Sequence, residues 1–349
     1  MKNPSSKRAK KTALSLLVLL LLWALVVVLS STIGPADISF GQCISVLCSR
    51  MPWVSAENVP EVHETIIFRV RLPRILMASL VGASLAVAGA VFQGLLRNPL
   101  AEPYILGVSS GAAVGATVAM VVGLATVAGG FGFVFVPALA FLGALVAMVA
   151  AYQLAKIGRT VPVHTLILAG VVVNAFFSAV VMFIVSRAGP QLHGIMFWLM
   201  GNLEPVAGTA MLARFVVPLV VVGFILIALY CRDLNVLAFG EESAVQLGMN
   251  AGAVKRVLFV SASLITGVVV AMSGMIGFVG LVVPHSVRMI VGADHRSLIP
   301  TAAIAGASFL IVADTVARVA SVPVGAVTAL IGCPFFAYLL RTRKRVMNV

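Results

Sequence analysis

Apolar runs parted by short polar stretches recur along the chain from residue 14 to residue 340. A hydrocarbon core about 30 Å thick takes about 20 apolar residues per helical crossing, so each run is read as a span. The first covers 14–33. A moderately polar loop follows, from Gly34 to the neighbourhood of Glu64, and carries Pro35, Pro52 and Pro60. The second span starts near Ile66, is interrupted by Arg69-Val-Arg71-Leu-Pro73-Arg74, and continues over 75–96. Further spans are predicted over 104–124, 133–154, 165–185 and 215–230. After a long polar interruption at 232–256 come 257–276, a short one over 278–290, then 299–317 and 324–340. The pattern predicts an all-α integral membrane protein of about ten transmembrane helices, organised as a single membrane domain over 1–349.

Composition removes the soluble alternative. The chain is 61% hydrophobic and 10% charged, against roughly a quarter charged residues in ordinary globular domains. The net charge of +13 would suggest nucleic acid in a soluble protein. Here the basic residues gather at the two ends: Lys2, Lys7, Arg8, Lys10 and Lys11 before the first run, and Arg341, Arg343, Lys344 and Arg345 after the last. That is the positive-inside pattern, and no nucleic-acid partner is expected. An even number of spans agrees with two basic cytoplasmic tails, 1–13 and 341–349. With helix-end residues assigned to their nearer side, 17 of the 24 Lys and Arg residues fall inside and 7 outside. Three of those seven, Arg69, Arg71 and Arg74, crowd together on the outer side, which calls for a partner. The first run exceeds the roughly 7–15 residues of a signal-peptide core, and Ser30-Ser31-Thr32 makes a poor cleavage site, so it is read as a retained helix.

Motifs for chemistry are sparse. A P-loop needs a Gly-Lys pair, and the chain contains none. His63, His164, His193, His285 and His295 are dispersed without ligand spacing, so no metal site is predicted. Gly107-Val-Ser109-Ser-Gly111 has the letters of a nucleophile elbow, but that elbow needs a strand before the serine, and here a Pro-containing turn precedes it. No catalytic residue is assigned. Gly82, Ala86 and Gly89-Ala90, and likewise Gly107, Gly111 and Gly115, form small-residue faces that let helices approach closely in lipid. Asp314 is the acid well inside a span, with Arg318 one turn later as its i,i+4 partner. The four cysteines, Cys43, Cys48, Cys231 and Cys333, form no zinc or disulfide framework; a bond between Cys43 and Cys48, which share one loop, stays open.

The 232–256 interruption is longer than a simple connection requires. Within it, 241–247 reads as a short helix with Glu241 and Glu242 at its positive end and Gly248 as its C-terminal cap. Asn250 is placed to cap a second short helix that runs into the next span. Such a pair would project as a knob and serve as a docking element.

At this point the residues carry a resemblance. Arg71-Leu-Pro-Arg74, Arg97-Asn98-Pro99-Leu100-Ala101-Glu102-Pro103, Leu106-Gly107-Val-Ser-Ser-Gly111, Leu168-Ala169-Gly170 and Trp198-Leu-Met-Gly201 occur in order. They continue in Leu237-Ala-Phe-Gly240-Glu241 with Gln246-Leu-Gly248, Gly277-Phe-Val-Gly-Leu-Val-Val-Pro284-His285, Asp294-His295-Arg296 and Pro323-Val-Gly325. The series resembles the permease subunits of type II ABC importers for iron-siderophores, haem and cobalamin, over nearly the whole of 66–341.

The resemblance implies the type II importer permease fold. It further implies a homodimer in the bacterial inner membrane, its pathway on the dimer axis, seated on two ATPase subunits that bind ATP and Mg. No cofactor is expected on this chain, and no enzymatic activity. A periplasmic or lipid-anchored substrate-binding protein would dock on Arg71, Arg74 and Arg318, whose guanidinium forks suit carboxylates. Gly240, Glu241, Glu242, Gln246, Leu247, Gly248, Asn250 and Lys255 match the helices that couple to the ATPase. Asn98 and Leu100 match one cytoplasmic gate, and Val163 and His164 a second, where the family carries small polar residues. Asn174 and Ser178 fall on the pathway-lining fifth helix. A self-contained secondary transporter or channel is the alternative; it would be expected to show inverted repeats and several intramembrane acids, whereas the sequence offers Asp314 alone.

Overall fold

The computed structural model describes residues 4–34, 36, 38–49, 60–124, 132–158, 160–204 and 212–347. Helix α1 covers Pro4–Thr32, so the helix takes in most of the N-terminal basic stretch. Helix α2, Phe40–Ser49, occupies what the sequence suggested was loop. Helix α3, Glu61–Leu95, is 35 residues long, with a π-helical segment at Ile66–Arg71. Then come α4 (Val108–Val121), α5 (Gly132–Ala155), α6 (Val163–Val185) and the short α7 (Leu192–Leu199). Helix α8 (Val217–Leu229) bends by 54° into α9 (Cys231–Leu237). The short α10 (Glu241–Gln246) precedes α11 (Ala251–Ser273), α12 (Val279–Val291), α13 (His295–Ala320) and α14 (Val324–Met347).

Six of the described helices are long and apolar enough to cross a membrane, and the bent α8–α9 pair makes a seventh. Three shorter apolar segments, Val108–Val121, Val279–Val291 and Val324–Tyr338, bring the spans to the ten expected. Backbone approach at glycine holds the bundle together. A Cβ on Gly82 would run into the Gly306 carbonyl, one on Gly89 into the Gly280 carbonyl, and one on Gly111 into the Gly143 carbonyl. The small-residue faces of α3 and α4 are therefore packing faces against α13, α12 and α5, in an environment where lipid provides no hydrophobic drive between helices. Ser109 is buried in the first turn of α4 behind a 3-10 turn at Pro103–Leu106, which is not an elbow.

Two of the short spans are short for one reason. Pro103 lies against Gly280, which itself touches the Leu85 carbonyl midway along the 72–95 stretch of α3. The chain thus re-enters the bundle after α3, and both α4 and α12 begin at its middle. At about 1.5 Å per residue each is only about 20 Å long. Non-helical backbone at that depth is tolerated only where its polar groups are satisfied by protein. Tyr104 does so for Ile276: its hydroxyl donates to the Ile276 carbonyl (2.7 Å) and accepts from the Ile276 N–H (2.8 Å).

The two cysteines suggested as partners lie on α2, five residues apart. Helix geometry separates such Cα atoms by about 8.7 Å, beyond the roughly 7 Å a disulfide spans. Cys43 is accordingly a free, buried thiol packed with Ile38, Val46 and Ile67; the Cys48 side chain lies outside the described residues.

Candidate functional site

Two sites stand at opposite ends of the bundle. At the end where α1 finishes, its last carbonyls lack helical partners and two arginines supply donors. Arg71 Nη1 donates to the carbonyls of Ser31 (2.7 Å) and Thr32 (3.0 Å), and Nη2 to that of Ala36 (2.6 Å). Arg318 Nη2 donates to the Ser30 carbonyl (3.1 Å) and hydroxyl (2.7 Å). Cations at a helix C-terminus also meet the negative end of its dipole. Asp314, 1% exposed, accepts from Arg74 Nε at 3.0 and 3.1 Å and lies 3.2 Å from Arg318 Nε. Arg74 Nη1 reaches Glu204 at 3.3 Å. Arg71, Arg74, Arg318 and Glu204 wall a cavity of about 470 Å³ that Phe197, Asn202 and Val322 also line.

The structure brings Arg71, Arg74 and Arg318 together around that cavity, but they are not equivalent. Arg71 is 4% exposed and donates to carbonyls at the end of α1. It organises the face, while Arg74 and Arg318, braced by one buried carboxylate, edge the opening.

At the opposite end, α9 and α10 form a knob. Glu241 and Glu242 stand in the first turn of α10. Gly248, at φ +80°, donates its N–H to the Val245 carbonyl (2.9 Å), and Met249 donates to the Ala244 carbonyl (3.1 Å), closing the helix as glycine caps do. Asn250 Oδ1 accepts from the Ala253 N–H at 3.0 Å, as the capping argument required. The second helix of the predicted pair is α11 itself, a full span, and the knob's other short helix is α9. Lys255 Nζ joins three elements, donating to Glu241 Oε1 (2.6 Å) and to the Val161 carbonyl before α6 (3.0 Å). Behind it lies a cavity of about 210 Å³ with Leu96, Tyr152, Val163 and Phe259 in its wall.

The base of the knob is clasped to α13. Asn235 Nδ2 donates to Asp294 Oδ1 (2.8 Å), and its Oδ1 takes the His295 backbone N–H (2.9 Å) and meets His295 Nδ1 (2.7 Å). Burial pushes the Asp294 carboxyl up, but bonds from the Arg296 guanidinium, the Asn235 amide and the Arg296 N–H outweigh it and hold its pKa at about 2.

A family model, the FecCD transport family, matches residues 19–342. The chain belongs to the FecCD transport family. Among FecCD relatives it is 43% identical to the cobalamin import system permease BtuC of Halobacterium salinarum over 90% of this chain and 86% of that one. It is 38% identical to the hemin transport system permease HmuU of Yersinia pestis and to the molybdate import system permease MolB of Haemophilus influenzae. Each of those two matches covers 94% of this chain and 95% of the relative. The structure of a metal-chelate type ABC transporter in an inward-facing conformation superposes with a TM-score of 0.77 at 32% identity, covering 95% of this chain and 99% of that one. The resemblance drawn from the motifs is thereby borne out, and the protein is a multi-pass membrane permease.

The remaining candidate residues lie in the turn after α3 and on α6. Asn98 Oδ1 accepts the Leu100 N–H at 3.0 Å in the turn after α3. Val163 opens α6 beside the smaller cavity, and His164 is exposed next to it. Asn174 is exposed and Ser178 half-buried on α6, a helix whose Leu168, Val172 and Phe176 are each more than 60% exposed. Sequence reasoning passed over the apolar tip of the knob, where Phe239 is 84%, Val245 61% and Leu247 75% exposed. Leu247 entered only as part of a motif. The available signal was large apolar residues set in an otherwise polar, Gly-bounded stretch.

Proposed function

We propose that this FecCD permease is the membrane subunit of an ATP-driven importer. It would carry a metal chelate (an iron-siderophore or haem) or cobalamin across the bacterial inner membrane, with both termini cytoplasmic. The relatives named for cobalamin and hemin support that range. The observation that carries the reading is the knob: three large apolar side chains exposed at the tip of a polar, membrane-edge element form a surface that needs a partner. A separate ATPase subunit, holding ATP and Mg, would receive that tip, with Glu241, Glu242 and Gln246 at its rim. A second copy of the chain would cover the exposed apolar face of α6 and close the pathway along Asn174 and Ser178. Asn98, Leu100, Val163 and His164 would gate its inner mouth. At the other end, Arg74 and Arg318 would take carboxylates of a substrate-binding protein, with Arg71 holding the face in shape.

In this mechanism the chain performs no catalysis and holds no cofactor. Nucleotide-driven closure of the ATPases would draw the two knobs together and shift the permease between inward-open and outward-open states, a two-state element biased by a ligand elsewhere. The test is uptake in proteoliposomes containing permease, cognate ATPase and binding protein, with cobalamin, haem and a ferric siderophore each offered. Uptake that requires ATP and all three proteins is expected. Uptake by the permease alone would establish the secondary-transporter reading instead.

A further inference from the structure

Helices α3 and α13 touch at three levels. At one end Arg74 of α3 grips Asp314 of α13. In the middle Gly82 and Gly306 bring the two backbones into contact, leaving no room for a Cβ on either. At the other end a Cβ on Gly94 of α3 would come within 2.8 Å of His295 Nε2 of α13 and 2.9 Å of Leu234 of α9. Because packed backbones have discrete arrangements rather than a soft continuum, two helices fixed at both ends and the centre move as one body. The 26 residues of α13 extend it over about 39 Å.

The end of this body beside the knob packs on Leu234 of α9 and is hydrogen-bonded to α9 through Asn235. Asn235 has a fixed orientation: its amide nitrogen faces the Asp294 carboxylate, so its oxygen must be the acceptor for both His295 donors, which places the imidazole proton on Nδ1. His295 is 2% exposed, so water has little access to replace those bonds.

We propose that α3 and α13 form a lever between the arginine face and the knob, and that Asn235 is the positioning residue through which the lever moves α9 and α10. The inference rests on the importer reading and adds to it the path by which docking at one face is felt at the other. Coupling of this kind is typically worth about 5–150-fold in the linked equilibrium.

The experiment uses the full complex of permease, ATPase and binding protein in lipid nanodiscs. It compares basal ATP hydrolysis, hydrolysis stimulated by loaded binding protein, and the affinity of that protein for the permease. In Asn235→Ala, basal hydrolysis and affinity are expected to stay within about twofold of wild type, while stimulation falls about tenfold or more. Asn235→Ser, which keeps an acceptor, is expected to recover part of the stimulation. Asp314→Asn weakens the other end of the same lever, so the double variant is expected to lose no more stimulation than the worse single one. Multiplicative losses, unchanged stimulation in Asn235→Ala, or loss of assembly in both Asn235 variants would overturn the lever. A wild-type complex that loaded binding protein fails to stimulate would remove the importer reading itself, and the lever with it.

Discussion

Replacing Tyr104 by Phe removes one oxygen atom and leaves the ring in place. That oxygen is the partner of both polar groups of Ile276, at 2.7 and 2.8 Å, in the non-helical stretch between α11 and α12. Ile276 is 1% exposed, and its neighbours Gly274 and Phe278 have positive φ, so no helical partner is within reach. A buried donor or acceptor stranded by mutation costs about 1–3 kcal/mol, and two stranded groups therefore cost about 2–6 kcal/mol. Equilibrium unfolding of the purified permease by denaturant would read this as a lower midpoint with an unchanged slope. A loss under about 1 kcal/mol, the ordinary net value of one hydrogen bond, would refute the reasoning, because Ile276 would then have found another partner. Since the same bonds fix where α4 and α12 begin, uptake is expected to fall together with stability.

Other expectations follow from the packing and the charges. Phe239→Ser with Leu247→Ser should leave membrane insertion intact and abolish co-purification of the ATPase; retained co-purification would show that the apolar tip is not the docking surface. Gly306→Ala drives a methyl group into the backbone of α3 and should cost folded yield, measured by size-exclusion chromatography in detergent, whereas Gly248→Ala, with open space around it, should suffer only the strain of its positive φ. Because the Asp294 pKa is held at about 2, below its ordinary 3.8, its stabilising contribution is complete above about pH 4 and is lost as pH falls towards 2. Melting curves of wild type and Asp294→Asn should therefore differ at pH 6 and converge near pH 2. A constant difference across that range would show that the carboxylate charge is not what holds the clasp.

The spans were legible because apolar runs of the right length have few alternatives in a chain this poor in charge. The knob's caps were legible too, since Gly248 and Asn250 act through local backbone geometry. What sequence could not give were partners fixed only by tertiary contact. The three outer arginines read as a face awaiting a protein, yet Arg71 finds its acceptors on α1 some 40 residues back in the chain. Helix α2 was taken for loop because Pro35, Pro52 and Pro60 frame it, although Cys43 and Val46, three apart, mark its buried side. The start of α4 at Val108 depends on Pro103 meeting Gly280, a contact between segments that no local pattern links. Asn235 gave no signal, for its three bonds all go to residues about 60 positions later.

The capping of α1 bears on how the chain is built. The last carbonyls of α1 are completed by Arg318, 288 residues after Ser30. Until α13 has been synthesised and inserted, that helix end has Arg71 but lacks the donors of Arg318. Closure of the bundle is thus tied to the synthesis and insertion of α13, and a chain cut short before α13 would present an unfinished α1 to the membrane's quality-control proteases.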